Sequence, residues 1–139
     1  MLNNIIFFAL RILLVLVLMI NQRPAAAEQS PQILFENALQ VSKNGDFLEA
    51  LVSWDEFLEL FPENALGWSN RGNVKLALGD FEGAISDQTK SIEILPLEVD
   101  SHLNRGIAEE FLRLWDEAAL DYNWILEHDP EDASALYNL

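Results

Sequence analysis

The chain has 139 residues, no cysteine, and 23 acidic against 8 basic side chains, a formal net charge of −15. That length is room for one modest domain, and the missing cysteines exclude disulfides, thiolate metal sites and a cysteine nucleophile. So acidic a chain argues against nucleic acid and anionic lipid as partners, because both demand clustered lysine and arginine.

Met1 to Ile20 is apolar apart from Asn3, Asn4 and Arg11, and its uninterrupted run is only Ile12 to Ile20. Crossing a bilayer core of roughly 30 Å takes about 20 apolar residues. Asn21-Gln22-Arg23-Pro24 breaks the run, and Ala25-Ala26-Ala27 follows. A basic residue, a short apolar core and small residues of this type form a secretory signal, with cleavage expected between Ala27 and Glu28. Arg11 lies late in that pattern, and Arg23 lies on the side where positive charge hinders export. An uncleaved membrane anchor from Ile5 to Ile20, with Arg11 snorkelling to the headgroups, therefore stands as the alternative. Membrane contact is expected only through residues 1–20, and only if the segment is retained. Loss of residues 1–27 leaves six basic side chains, the eight less Arg11 and Arg23, against 23 acidic ones, for a charge of −17. Charge of that size keeps copies of a protein apart in solution.

After a linker at 28–30, one unit of 34 residues runs three times, at 31–64, 65–98 and 99–132, with a remnant at 133–139. Gly45-Asp46-Phe47 is followed at that period by Gly79-Asp80-Phe81 and Arg113-Leu114-Trp115; Pro62, Pro96 and Pro130 keep the same spacing. A fixed period of this length marks a repeat array. Each unit reads as two helices, A and B. Pro31 suits a helix start, and Leu34, Ala38 and Val41 give a helical stripe. Gly45 is expected to end helix A in a left-handed conformation, with Asp46 capping helix B. The second unit repeats this around Gly79-Asp80. The third turn, Leu112-Arg113-Leu114, has lost both the glycine and the cap and is expected to be the weakest.

These residues resemble the tetratricopeptide repeat family over 31–139. Its small residue in helix A is matched by Ala38, Gly72 and Gly106, and that in helix B by Ala50, Ala84 and Ala118. Such residues let two antiparallel helices approach closely, whereas larger side chains force the axes apart. Trp54, Trp68, Phe81, Trp115 and Tyr122 are expected to fill the spaces between units. In wording, the run from Trp68 to Phe81 and the segment from Asp129 to Leu139 resemble exported tetratricopeptide proteins of cyanobacteria and plastids. The expected fold is therefore all-α, a right-handed α-solenoid of three helical hairpins plus a short C-terminal helix. Residues 133–139 are either a closing helix or the truncated start of a fourth repeat, since Ala135, Leu136 and Leu139 do not make the polar outer face of a full cap.

The concave face of such a solenoid is lined by helix A and holds peptides or partner helices. Helical geometry places Phe35 and Leu39 there from the first unit, flanked by Gln32, Glu36 and Lys43. Asn70 and Asn73 come from the second unit, and Asp100, Asn104 and Ile107 from the third. Asn70 and Asn104 suit peptide-backbone contacts, because an amide both donates and accepts. One subclass of the family holds a chaperone's C-terminal carboxylate with two lysines, two asparagines and an arginine. The matching positions here are Phe35, Leu39, Asn70, Asp100 and Asn104, of which only Asn70 agrees, so the resemblance excludes that function. Arg71 and Arg105 recur at the repeat period, as do Asp87 and Asp121, and are read as ion pairs between helices A and B of one unit. No nucleophile elbow, paired-histidine zinc motif or phosphate loop is present, so no enzyme, cofactor or metal is expected. His128, beside Glu127, Asp129, Glu131 and Asp132, is read as a helix-dipole partner, since the cluster lacks calcium-loop spacing.

The reading that results is a non-enzymatic protein-interaction module in an exported compartment, the periplasm or thylakoid lumen. The alternative is a truncated or structural subunit associating through its C-terminal face. If the signal is cleaved, the intact mass of the mature chain begins at Glu28; a chain still carrying Met1 or Leu2 establishes the anchor instead.

Overall fold

The computed structural model describes residues 30–139. The signal-or-anchor expectation for residues 1–27, and most of the linker, lie outside the described residues. Three helical hairpins follow one another: α1 (Pro31–Asn44) with α2 (Phe47–Leu60), α3 (Ala65–Leu78) with α4 (Phe81–Ile94), and α5 (Val99–Phe111) with α6 (Trp115–His128). A short α7 (Ala133–Asn138) closes the series. Each helix packs mainly on its sequence neighbours, and α1 meets α3 and α3 meets α5, as stacking of successive units requires. Among the described residues there is no strand, and no helix is long and apolar enough to cross a membrane.

The turns explain where the helices stop. Gly45 and Gly79 take φ of 85° and 80°, the left-handed region that glycine enters without a Cβ clash. Gly79 N–H reaches Leu76 O, and Asp80 N–H reaches back to Lys75 O at 2.9 Å. In the third hairpin Arg113 occupies the same place with φ 62°, and Leu114 N–H closes the same long bond to Glu109 O at 2.9 Å. The turn geometry thus survives loss of the glycine, at a cost of about 1–2 kcal/mol for a left-handed L-residue. Asp80 caps α4 by accepting from Gly83 N–H at 3.0 Å. Asp46 holds the equivalent position but makes no side-chain cap bond, so the capping expected there from sequence is corrected. Asn64 and Asp132 cap α3 and α7 instead, each at 2.8 Å.

Close approach of the paired helices sets the core. Ala38, Ala50, Ala84 and Ala118 are fully buried or nearly so. A Cβ at Gly72 would lie 2.7 Å from Gln88 Nε2, and one at Gly106 would lie 2.6 Å from the Tyr122 ring. At the first hairpin Phe35, Trp54 and Phe57 meet edge to face at 5.1, 5.4 and 5.8 Å between ring centres, the geometry their quadrupoles favour. Around Tyr122, Ile125 and Ala135 a second apolar centre forms. The middle of the array is polar by contrast: Asp87, Gln88, Ser91 and Ser101 are buried, and Ser101 Oγ bonds Ser91 Oγ at 2.9 Å.

One expected core residue is not core. Phe81 stacks on Phe111 at 4.4 Å, so the first residue of α4 is covered from the following A helix. Trp115 holds that position in the third unit and is 60% exposed. Helix propensity alone makes Gly106→Ala worth about 1 kcal/mol of added stability. The 2.6 Å approach to Tyr122 reverses the sign, because overpacking typically costs about 1–3 kcal/mol. Thermal unfolding of Gly106→Ala is expected to show a lower Tm than wild type; an equal or higher Tm would refute the packing role.

Candidate functional site

Phe35 and Leu39 line one groove. They are half-buried on α1 and face an open groove of about 430 Å³. Phe57 and Leu66 extend its apolar floor, while Gln32, Glu36 and Asn64 supply polar atoms at its walls. Gln32 Nε2 donates to Glu36 Oε1 at 3.0 Å, which holds the carboxylate in place on the exposed side of α1. Sequence reasoning found the α1 wall but missed Phe57, Asn64 and Leu66. The periodicity of α1 says nothing of residues contributed by the B helix, the loop after it and the start of the next A helix.

The remaining expected residues lie outside the walls of that groove. Asn70 is half-buried and donates from Nδ2 to Leu66 O at 2.7 Å, leaving its Oδ1 available. Asn73 is exposed, but its Oδ1 accepts from Gln88 Nε2 at 2.8 Å and serves the packing of α4. On α5, Asp100 is exposed, and Asn104 and Ile107 are half-buried.

A second cluster is ionic and internal. Arg71 grips Asp87 with Nε and Nη2 at 2.7 and 2.8 Å and reaches Asp55 of the preceding hairpin at 2.6 Å. Arg105 grips Asp121 with both nitrogens at 2.7 Å and reaches Thr89 of the preceding hairpin at 3.2 Å. The pairs within each hairpin are those read from the sequence. The bonds between hairpins were not foreseen, and the acids are more buried than a surface pair would be. His102 adds a bond from Nδ1 to Asp121 Oδ1 at 2.8 Å and stacks on Trp124 at 3.7 Å. Burial acts to raise the Asp121 carboxyl, yet the hydrogen bonds from Arg105 and His102 outweigh it and hold it below its usual range. His128 Nδ1 bonds Trp124 O at 2.8 Å at the end of α6, as a helix-terminal histidine does. Among the described residues no cluster of acidic, histidine or cysteine side chains has the geometry of a metal site.

The third hairpin carries one reversed charge. Lys75 lies 2.9 Å from Asp87, and Glu109 stands at the corresponding place beside Asp121. Burial pushes the Glu109 carboxyl up, the negative charge of Asp121 adds to this, and Arg105 only partly offsets both, leaving it at about 7.

The family model for tetratricopeptide repeats matches residues 35–98. The TPR domain of Arabidopsis OM64 superposes with a TM-score of 0.74 at 29% identity, covering 78% of this chain and 89% of that one. The first TPR domain of Spaghetti (RPAP3), bound to the HSP90 peptide SRMEEVD, gives 0.76 at 26% identity over 78% of this chain and 86% of that one. With family match and fold agreeing, the chain belongs to the tetratricopeptide repeat family. Among curated proteins it is 32% identical over 108 residues to the pea protein Translocon at the outer membrane of chloroplasts 64, covering 78% of this chain. It is 34% identical over 94 residues to Hsp70-Hsp90 organizing protein 3 of Arabidopsis thaliana, covering 68% of this chain. It spans only 18% and 17% of the length of those two relatives.

The sign of the Glu109 effect is fixed by its raised pKa. A carboxyl with a higher pKa folded than unfolded favours the folded state most below about 4.5 and loses that contribution as pH rises through about 7. Replacing it by glutamine removes the penalty. Unfolding free energies from denaturant titrations are expected to diverge in favour of Glu109→Gln between pH 5 and pH 8, approaching but not exceeding about 3 kcal/mol. Parallel pH profiles for the two proteins would show that Glu109 is not held beside Asp121.

Proposed function

We propose that the chain is a non-enzymatic protein-interaction module that holds a peptide or partner segment along the A-helix face carrying Phe35, Leu39, Asn70, Asp100 and Asn104. The observation that carries this reading is the open groove beside Phe35 and Leu39, in a fold whose neighbour is bound to a peptide. A volume of about 430 Å³ is enough for a few side chains and far too little for a folded domain, so a short segment fits the site. The match to a Giardia peptide N-acetylglucosaminyltransferase covers 5% of that enzyme and brings no catalytic part with it.

The segment is not an acidic chaperone tail. The five positions that would hold one carry Phe35, Leu39, Asn70, Asp100 and Asn104, with no cation and one carboxylate among them. An exported setting as an assembly factor, in the periplasm or a thylakoid, is part of the proposal. It rests on the signal-like pattern of residues 1–27 and on the chloroplast name of the pea relative. A second reading, self-association through the last two helices, is favoured by the exposure of Leu120 and Tyr137, 71% and 90%, and opposed by the strong net negative charge.

Selection from a random heptapeptide phage library against the immobilised full chain tests the main reading. Recovered peptides are expected to bind with Kd of roughly 1–100 μM, typical of weak linear-motif recognition. Joint replacement Asn70→Ala and Asn104→Ala is expected to weaken them about tenfold with little change in Tm, the size of one or two lost hydrogen bonds. The peptide SRMEEVD is expected not to bind at millimolar concentration. Absence of any selected binder, or tight binding of SRMEEVD, would overturn the proposal.

A further inference from the structure

Resting on that reading of the A-helix face, we infer the chemistry of the segment it holds: an apolar side chain adjacent to a lysine or arginine. The apolar group seats on Phe35, Leu39 and Phe57, and the cation meets Glu36 at the wall of the same groove.

Four observations converge on this pairing. First, the floor is apolar and already partly desolvated, since Phe35 is fixed edge-on against Trp54 and Phe57 at 5.1 and 5.4 Å. A rigid aromatic floor can bury a leucine, methionine or phenylalanine without ordering itself first. Second, among the described residues the only charge in the groove walls is the Glu36 carboxylate. Gln32 donates to its Oε1, which orients the group and leaves Oε2 for a partner from outside.

Third, the described residues have few cations left to receive an anionic segment. Among the described residues Arg71, Lys75, Lys90 and Arg105 are each paired with a carboxylate. Only Lys43 and Arg113 lack such a partner, and neither is a wall of the groove. Fourth, further along the face Asn70, Asn73 and Asn104 are neutral, and the one charged residue, Asp100, is exposed with no ion pair among the described residues. An acidic segment would meet like charge at Glu36 and at Asp100, whereas a basic one meets complementary charge, which governs specificity more than area does. A lysine or arginine also suits the place sterically, because its methylene stem covers apolar surface while its head reaches the rim.

The same heptapeptide selection against the full chain tests the inference, read now for sequence and repeated with Glu36→Lys. Glu36 is exposed, so the variant is expected to melt as wild type does. Wild type is expected to enrich Leu, Met or Phe beside Lys or Arg. Glu36→Lys is expected to weaken the selected peptide tenfold or more and to redirect the enrichment toward Asp or Glu at the neighbouring position. Binding of the wild-type peptide should also weaken as salt rises from 50 to 500 mM, as exposed charge pairs do. If peptides are recovered and depend on Asn70 and Asn104, but show no basic preference or ignore Glu36→Lys, this inference falls while the peptide-binding reading stands. If no peptide is recovered at all, both fall together.

Discussion

Everything in this structure depends on how closely the two helices of each hairpin approach. Ala38 with Ala50, Gly72 with Ala84, and Gly106 with Ala118 leave no side-chain bulk at the crossing. At Gly72 and Gly106 even a methyl group meets a neighbour under 3 Å. That separation has a second effect. Arg71 and Arg105 sit one residue before their glycines, so the close approach delivers their guanidiniums to Asp87 and Asp121 at 2.7 Å. The third guanidinium nitrogen then reaches the preceding hairpin at Asp55 or Thr89. One steric constraint thus sets both the fold within a hairpin and the polar staple between hairpins.

A repeat array tolerates variation because each position answers only to its nearest neighbours. The third unit shows three such departures. Arg113 takes a glycine's backbone conformation, Glu109 stands where Lys75 stood, and Trp115 is exposed where Phe81 is covered by Phe111. Each carries an energetic penalty confined to one site: a left-handed backbone, a like-charge contact, an exposed indole. None propagates, because the close approach of α5 and α6 at Gly106 is intact and Asp121 keeps Arg105 and His102.

Much of this was legible in the chain itself. A period of 34 residues, glycine before each of the first two B helices and proline after all three were enough to place the hairpins. The periodic Arg and Asp were enough to pair α3 with α4 and α5 with α6. What stayed hidden is what a period cannot encode. Asp46 and Asp80 occupy the same column, yet only Asp80 turns its carboxylate onto the helix, a rotamer choice outside any pattern. The polar middle was hidden for a similar reason. Gln88, Ser91 and Ser101 look like surface residues until Gln88 is seen donating to Ser69 O and Asn73, and Ser101 to Ser91. The groove was half legible, since Phe35 and Leu39 follow from α1 alone, whereas Phe57 and Leu66 join them only through packing.

The ionic staple also bears on what the outer face can do. Of the six cations in residues 30–139, two arginines and a lysine are drawn inward to Asp87 and Asp121, and Lys90 is paired with Glu93. The five positions that match the carboxylate-holding subclass in the resemblance carry Phe35, Leu39, Asn70, Asp100 and Asn104, with no cation among them. On the A-helix face, by contrast, the carboxylates of Glu36 and Asp100 stand exposed, while Arg71, Lys75 and Arg105 are drawn into structural pairs. In the proposed binding mode such a surface would discriminate by repulsion as much as by attraction, turning away acidic segments that the shape of the groove would otherwise accept. On that proposal shape comes from the repeat, whereas selectivity comes from which few residues of the A-helix face are charged, and with what sign.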